Sequence, residues 1–169
     1  MASAEIAELF RRVTLGLYVV GAADGERRDA FTAAWLTQVS FDPLLLALSV
    51  NPQNASHRLL HAGGGFTVSV LEETQQEVAR HFGLSSGRDR DKLAGIAWRP
   101  GRRGAPVLRD ALAWFECELA GAMPAGDHEL VLGRVVDGGL LLPGARPLTY
   151  AATGDMDGSS ALYPARLSA

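Results

Sequence analysis

Phe31-Thr32-Ala33-Ala34-Trp35-Leu36-Thr37-Gln38-Val39-Ser40-Phe41 is the stretch that decides the fold class. It reads as a strand, and it follows directly on another. Leu15, Leu17 and Val19 alternate with Gly16, Tyr18 and Val20, and that run stops at Asp24-Gly25, a turn pair. Two such runs joined by a few polar residues make a hairpin, so the sheet starts antiparallel. Leu44 to Val50, bounded by Pro43 and Pro52, reads as the next strand, and Gly65 to Leu71 follows with Phe66, Val68 and Val70 on one face. Farther on come Leu112 to Gly121, His128 to Asp137 and a short pair over Gly139 to Leu142. In the first of these, Phe115, Cys117 and Leu119 face one way and Trp114, Glu116 and Glu118 the other.

Three helices punctuate the strands. Ile6, Leu9, Phe10 and Val13 form one apolar face of a short N-terminal helix. A second runs from Asn54 to His61 with Asn54 as N-cap. The third starts at Thr74, which with Glu77 has the capping-box spacing, and leads into Val78, Ala79 and Phe82. Gly83 to Arg103, rich in Gly, Ser, Arg and Asp, reads as a long surface excursion with a helical turn near Lys92. About seven short strands with two or three helices make a barrel or a strongly bent sheet, not an alternating parallel α/β fold.

The 169 residues sit close to one domain of about 150 residues, and the core is expected over about 10–150, with a weakly ordered tail over 151–169. Apolar residues at 47% and charged residues at 21% are ordinary for a globular protein. A net charge of −3 and a pI near 5.8 argue against a nucleic-acid footprint. One cysteine allows neither an intrachain disulfide nor a Cys-based zinc cage. Met1 to Arg12 carries acids and lacks a signal-peptide core, and the longest purely apolar run, Leu44 to Leu48, is far below the ~18–20 residues that span a bilayer. A cytoplasmic protein with no nucleic-acid or membrane partner is the expectation. Arg outnumbers Lys 15 to 1, a base-composition habit rather than a functional signal.

Several candidate chemistries weaken on inspection. His57 and His61 have the i, i+4 spacing of metal ligands, but Arg58-Leu59-Leu60 between them lacks the Glu of a zinc-protease motif. A third ligand would have to come from His81 or a distant acid, so a solvated helix face is expected and no metal is assigned. Cys117, between Phe115 and Leu119, reads as a small core hydrophobe. Gly63-Gly64-Gly65 precedes a strand and lacks the Lys-Ser/Thr of a phosphate loop, so it reads as a helix-to-strand turn.

Two stretches hold more. In Thr32 to Ser40, small residues, three hydroxyls, an amide and one Trp make a poor core strand, with Thr32, Ala34, Leu36, Gln38 and Ser40 on one face and Ala33, Trp35, Thr37 and Val39 on the other. Small side chains would let a flat ligand approach the backbone; a polar edge strand is the alternative. Ser49-Val50-Asn51-Pro52-Gln53-Asn54-Ala55-Ser56-His57 places Asn54 and Ser56 at a helix N-terminus, where free amides favour a phosphate; N-capping alone is the alternative. His128, directly after Pro124-Ala125-Gly126-Asp127, opens a strand at a loop mouth; an exposed strand-edge histidine is the alternative.

At these residues the chain resembles the flavin reductase-like family of FMN-binding split β-barrels. Thr32-Ala33 through Ser40-Phe41-Asp42-Pro43 carries the resemblance. The Trp35-x-Thr37-Gln38-x-Ser40-Phe41 version is similar to the short stand-alone branch and to reductase modules of diflavin proteins. Further matches in order are Gly65-Phe66-x-Val68-x-Val70-Leu71, Ala79-x-His81-Phe82, Leu112-Ala113-Trp114-Phe115-Glu116-Cys117, Gly126-Asp127-His128 and Arg146-Pro147-Leu148-Thr149-Tyr150. The chain departs from the pattern at Asn54, where Ser or Thr is usual, and at Ala151-Ala152-Thr153-Gly154, which lacks an Arg or aromatic pair.

The resemblance implies a mainly β, antiparallel split barrel and a homodimer holding FMN, or FAD, near its subunit interface. It implies a flavin ring along Thr32, Ala33, Trp35, Leu36, Thr37 and Gln38, a ribityl-phosphate at Ser49, Val50, Asn51, Asn54, Ser56 and His57, and Phe82 as a further cofactor contact. His128 would sit on the nicotinamide side. The implied activity is hydride transfer from NAD(P)H to flavin, with an oxygenase or other electron acceptor downstream. The alternative is a tightly FMN-bound electron-transfer flavoprotein without nicotinamide-dependent activity.

Overall fold

Asp24 and Arg27 pair across a two-residue loop, and Gly25 at φ 60° supplies the left-handed backbone that the turn requires. This hairpin joins β1 (Tyr18–Asp24) to β2 (Arg27–Ala33) in a computed structural model that describes residues 3–167. Met1, Ala2, Ser168 and Ala169, which belong to the segments read above as leaderless terminus and tail, lie outside the described residues. The remaining strands of the main sheet are β3 (Leu36–Phe41), β4 (Leu44–Val50), β5 (Gly65–Val70), β8 (Ala113–Ala125) and β9 (His128–Leu140). β6 (Trp98–Pro100) and β7 (Pro106–Leu108) form a separate pair. The helices are α1 (Ser3–Arg11), α2 (Ala55–Gly63) and α3 (Gln76–Gly83). No helix among the described residues is long and apolar enough to cross a membrane.

The seven-stranded sheet is antiparallel throughout, in the order β2-β1-β5-β8-β9-β4-β3. Its two edge strands, β2 and β3, are joined by only Ala34 and Trp35. Three residue steps reach at most about 11 Å, so the two edges must curl toward each other. The result is an open, split barrel. Two register shifts in the β8–β9 ladder, at Glu116/Cys117 and Leu119/Gly121, supply local bending. Gly133 keeps the interior closed tightly, since a Cβ there would fall 2.5 Å from Phe66 Cζ.

The single strand read over Phe31 to Phe41 is therefore two strands on opposite edges of the sheet. The break at Ala34–Trp35 cancels the shared face assigned to Thr32, Ala34, Leu36, Gln38 and Ser40. Two cores flank β1, whose central five residues are all buried. Val20, Phe31, Leu48, Phe66, Val68 and Val131 fill the barrel interior with Leu60 of α2. Val19, Ala30, Leu71, Ala79, Phe82 and Leu148 pack outside it.

Other elements differ from the sequence reading in instructive ways. α2 begins after Asn54, whose side chain accepts from the Ser56 amide at 2.9 Å, as expected of an N-cap. α3 does not use the capping box: Thr74 bonds the Glu72 carboxylate instead, and the helix starts two residues later. α1 buries Ile6 and Ala7, while Leu9, Phe10 and Val13 are half-exposed, and Val13 lies beyond the end of the helix. The 83–103 excursion is anchored rather than superficial, with Lys92 and Leu93 buried. β8 and β9 are long continuous strands, so Gly139 and Leu140 extend β9 and form no pair of their own. The tail forms 3-10 turns over Tyr150–Thr153 and Ser159–Leu162, and Tyr163 stacks on Phe10 at 5.4 Å.

Candidate flavin-site mouth

Strand register sorts the candidate residues into two faces. Ser49 pairs with Leu130 and Thr37 with Ala47, while the next pairs along, Leu36 with Leu48 and Val50 with Glu129, point the other way. Leu48 and Val50 belong to the barrel interior, so Ser49, Thr37 and His128 lie on the outer face. The Ser49 amide donates to the Trp35 carbonyl at 2.9 Å, which fixes Trp35 at the same mouth. Trp35 is half-exposed, and its ring lies 4.9 Å from the His128 ring at 55°. β3 is an edge strand with one partner, β4, so one line of its backbone amides and carbonyls remains available. Thr37 and Gln38 are exposed along it.

His128 enters β9 from the hairpin loop Gly126-Asp127, where Gly126 adopts φ 68°. Its Nδ1 donates to the Asp127 carboxylate at 2.8 Å, and this hydrogen bond holds the Asp127 carboxyl below the usual range. A neutral His128 so oriented presents Nε2 as an acceptor.

Most of the other predicted contacts face protein, while Asn51 is exposed. Ala33 is buried in the barrel core, Leu36 packs against it, and Val50 is inside it. Phe82 is 1% exposed within the outer core, so its side chain packs there. Ser56 is fully buried, and its hydroxyl donates to Asp29 at 2.7 Å. Its side chain therefore serves a buried network instead of a phosphate. That network continues to Lys92, whose ammonium lies 3.3 Å from Asp29; burial pushes the Lys92 amine down. Thr32 donates to the Ala79 carbonyl at 2.7 Å and ties β2 to α3. Asn51 and Asn54 cap turns before α2 through their side-chain oxygens. Cys117 is buried, which pushes its thiol up to about 12 and removes it as a nucleophile.

Sequence reasoning missed three residues. Arg88 donates to the Gln53 carbonyl at 2.8 Å, which brings a cation to the N-terminus of α2. It lies in the excursion, where no periodicity tied it to any element. Lys92 joins Asp29 across the same excursion. Glu129 follows His128 and points to the opposite face, toward α2, where it meets His57 and His61. Strand alternation alone held that signal.

Residues 10–159 match the family described as flavin reductase like domain, and the chain belongs to that family. It is 40% identical over 141 residues to the high molecular weight rubredoxin of Moorella thermoacetica, covering 82% of this chain. It spans 61% of that relative's length. Among solved structures it is similar to the NADH:FAD oxidoreductase of Streptomyces globisporus C-1027, with TM-score 0.80, 30% identity and 88% of each chain covered. It is also similar to an FMN-binding protein from Thermus thermophilus solved with bound 1-cyclohex-2-enone, at TM-score 0.72 and 32% identity, covering 79% of this chain and 77% of that one.

Proposed function

We propose that the protein is an NAD(P)H:flavin oxidoreductase that holds FMN at the Trp35–His128 mouth. The observation that carries the reading is the gathering of Trp35, Thr37, Ser49 and His128 on one outer face, at the end of β4 that leads into α2. The residues suit a flavin. The free edge of β3 offers main-chain donors and acceptors to the rim of a flat heterocycle, and Trp35 offers an aromatic wall. The N-terminus of α2 and the Arg88 guanidinium suit a phosphate. Bound there, the flavin supplies hydride- and electron-accepting chemistry.

The chain's own task is positioning. Asp127 fixes the His128 ring, and Nε2 accepts from the carboxamide of a nicotinamide nucleotide to hold it against the site. Exclusion of water falls to Trp35 and the partner copy of a homodimer that covers the exposed edge of β3. FMN is the first choice over FAD, and an oxygenase or other acceptor takes the electrons. The similarity to a high molecular weight rubredoxin favours one second reading: an FMN-bound electron carrier with no nicotinamide step. The absorption spectrum of the purified protein, recorded anaerobically before and after NADH or NADPH, tests both. A flavin band that bleaches supports the reductase; a flavin band that persists supports the carrier.

A further inference from the structure

Away from the outer face, three ligating side chains converge between α2 and β9. His57 and His61 stand one helical turn apart, so both rings project from the same side of α2. Their Nε2 atoms lie 2.7 and 2.6 Å from the same oxygen, Glu129 Oε2. The ligand atoms of the trio all fall within 4.8 Å of one another. Glu129 Oε1 has no hydrogen-bond partner among the described residues, so the trio aims both nitrogens at one point and leaves half the carboxylate unused.

We propose that His57, His61 and Glu129 bind one divalent transition-metal ion of the zinc class, with a fourth position open to solvent. Two neutral imidazoles and one carboxylate are the donor set that zinc takes in sites keeping an exchangeable position. Imidazole disfavours magnesium and calcium, which want oxygen alone. Metal–ligand bonds of about 2.0–2.2 Å set neighbouring ligand atoms on the order of 3.3 Å apart, so the carboxylate must back away by about 0.7 Å. Side-chain exposures of 17%, 34% and 23% leave it room to do so. The ion would bolt α2 to the start of β9, and so fix the helix N-terminus relative to the strand that carries His128.

This site goes beyond the flavin reading and is tested without it. The flavin-loaded protein is stripped with a chelator, dialysed, and titrated with Zn²⁺ against a chromophoric competitor. One ion per chain is expected. His61→Ala and Glu129→Gln should each weaken binding at least tenfold, with folding confirmed by circular dichroism, whereas His81→Ala, altering a histidine bonded to the Lys92 carbonyl, should leave it unchanged. Mg²⁺ should not compete. Absence of stoichiometric Zn²⁺ binding, or binding that survives both substitutions in folded protein, overturns the proposal. The near-isosteric Glu129→Gln keeps the test decisive if His61→Ala does not fold.

Discussion

His128 and Ser56 show how far a residue's role depends on which way its strand or helix turns it. His128 faces Trp35 on the outer side of β9, with Nδ1 held by Asp127. His128→Ala should keep bound FMN but slow anaerobic flavin reduction at least tenfold, about 1.4 kcal/mol of barrier, measured by rapid mixing. A loss confined to apparent nicotinamide affinity would mean uniform binding, not transition-state placement. Ser56 lies at the helix N-terminus that suits a phosphate, yet its hydroxyl is sealed against Asp29. Ser56→Ala should therefore lower stability by about 1–2 kcal/mol in denaturant melts while leaving FMN affinity within a factor of two. The N-cap at Asn54 was legible because capping is local; the Ser56 partner was not, since Asp29 lies 27 positions away.

At the scale of elements, the β3 edge carries the clearest consequence. The reading of Phe31 to Phe41 as one strand failed because alternation persists across Ala34–Trp35 while the chain passes from one edge of the sheet to the other. Hairpins, by contrast, were legible: Asp24-Gly25 and Gly126-Asp127 announce their turns in the sequence itself. The edge strand that results exposes Phe41 at 86% and Val39 near half, and Leu44 of β4, paired with Phe41, is half-exposed beside them. An uncovered apolar edge of this kind invites pairing. The homodimer should be the species seen by light scattering, and Phe41→Lys should shift it toward monomer and weaken FMN retention at low protein concentration. A wild-type monomer, or a variant still fully dimeric, would show that another face holds the copies together.

The whole molecule is a split sheet with a core on each side of β1, and its long excursion is held by one buried ion pair. Lys92 and Asp29 are 3% and 6% exposed, with Ser56 completing the carboxylate's hydrogen bonds. Removing one partner strands a buried charge, so Lys92→Met should destabilise the protein by about 3–5 kcal/mol, read from the shift in its urea midpoint. Composition gave no sign of this, because a lone lysine in a charged loop reads as solvated. The strand order was likewise hidden, since β5 and β9 find partners far along the chain, whereas the family motifs carried the fold through their order. The central claim is that this scaffold positions a nicotinamide nucleotide against a flavin. Anaerobic stopped-flow mixing of the FMN-loaded protein with NADH and NADPH tests it most directly. The account predicts bleaching of the visible flavin band that saturates with at least one nucleotide and slows at least tenfold in His128→Ala. A band that stays oxidised with both nucleotides, yet bleaches at once with dithionite, would contradict it.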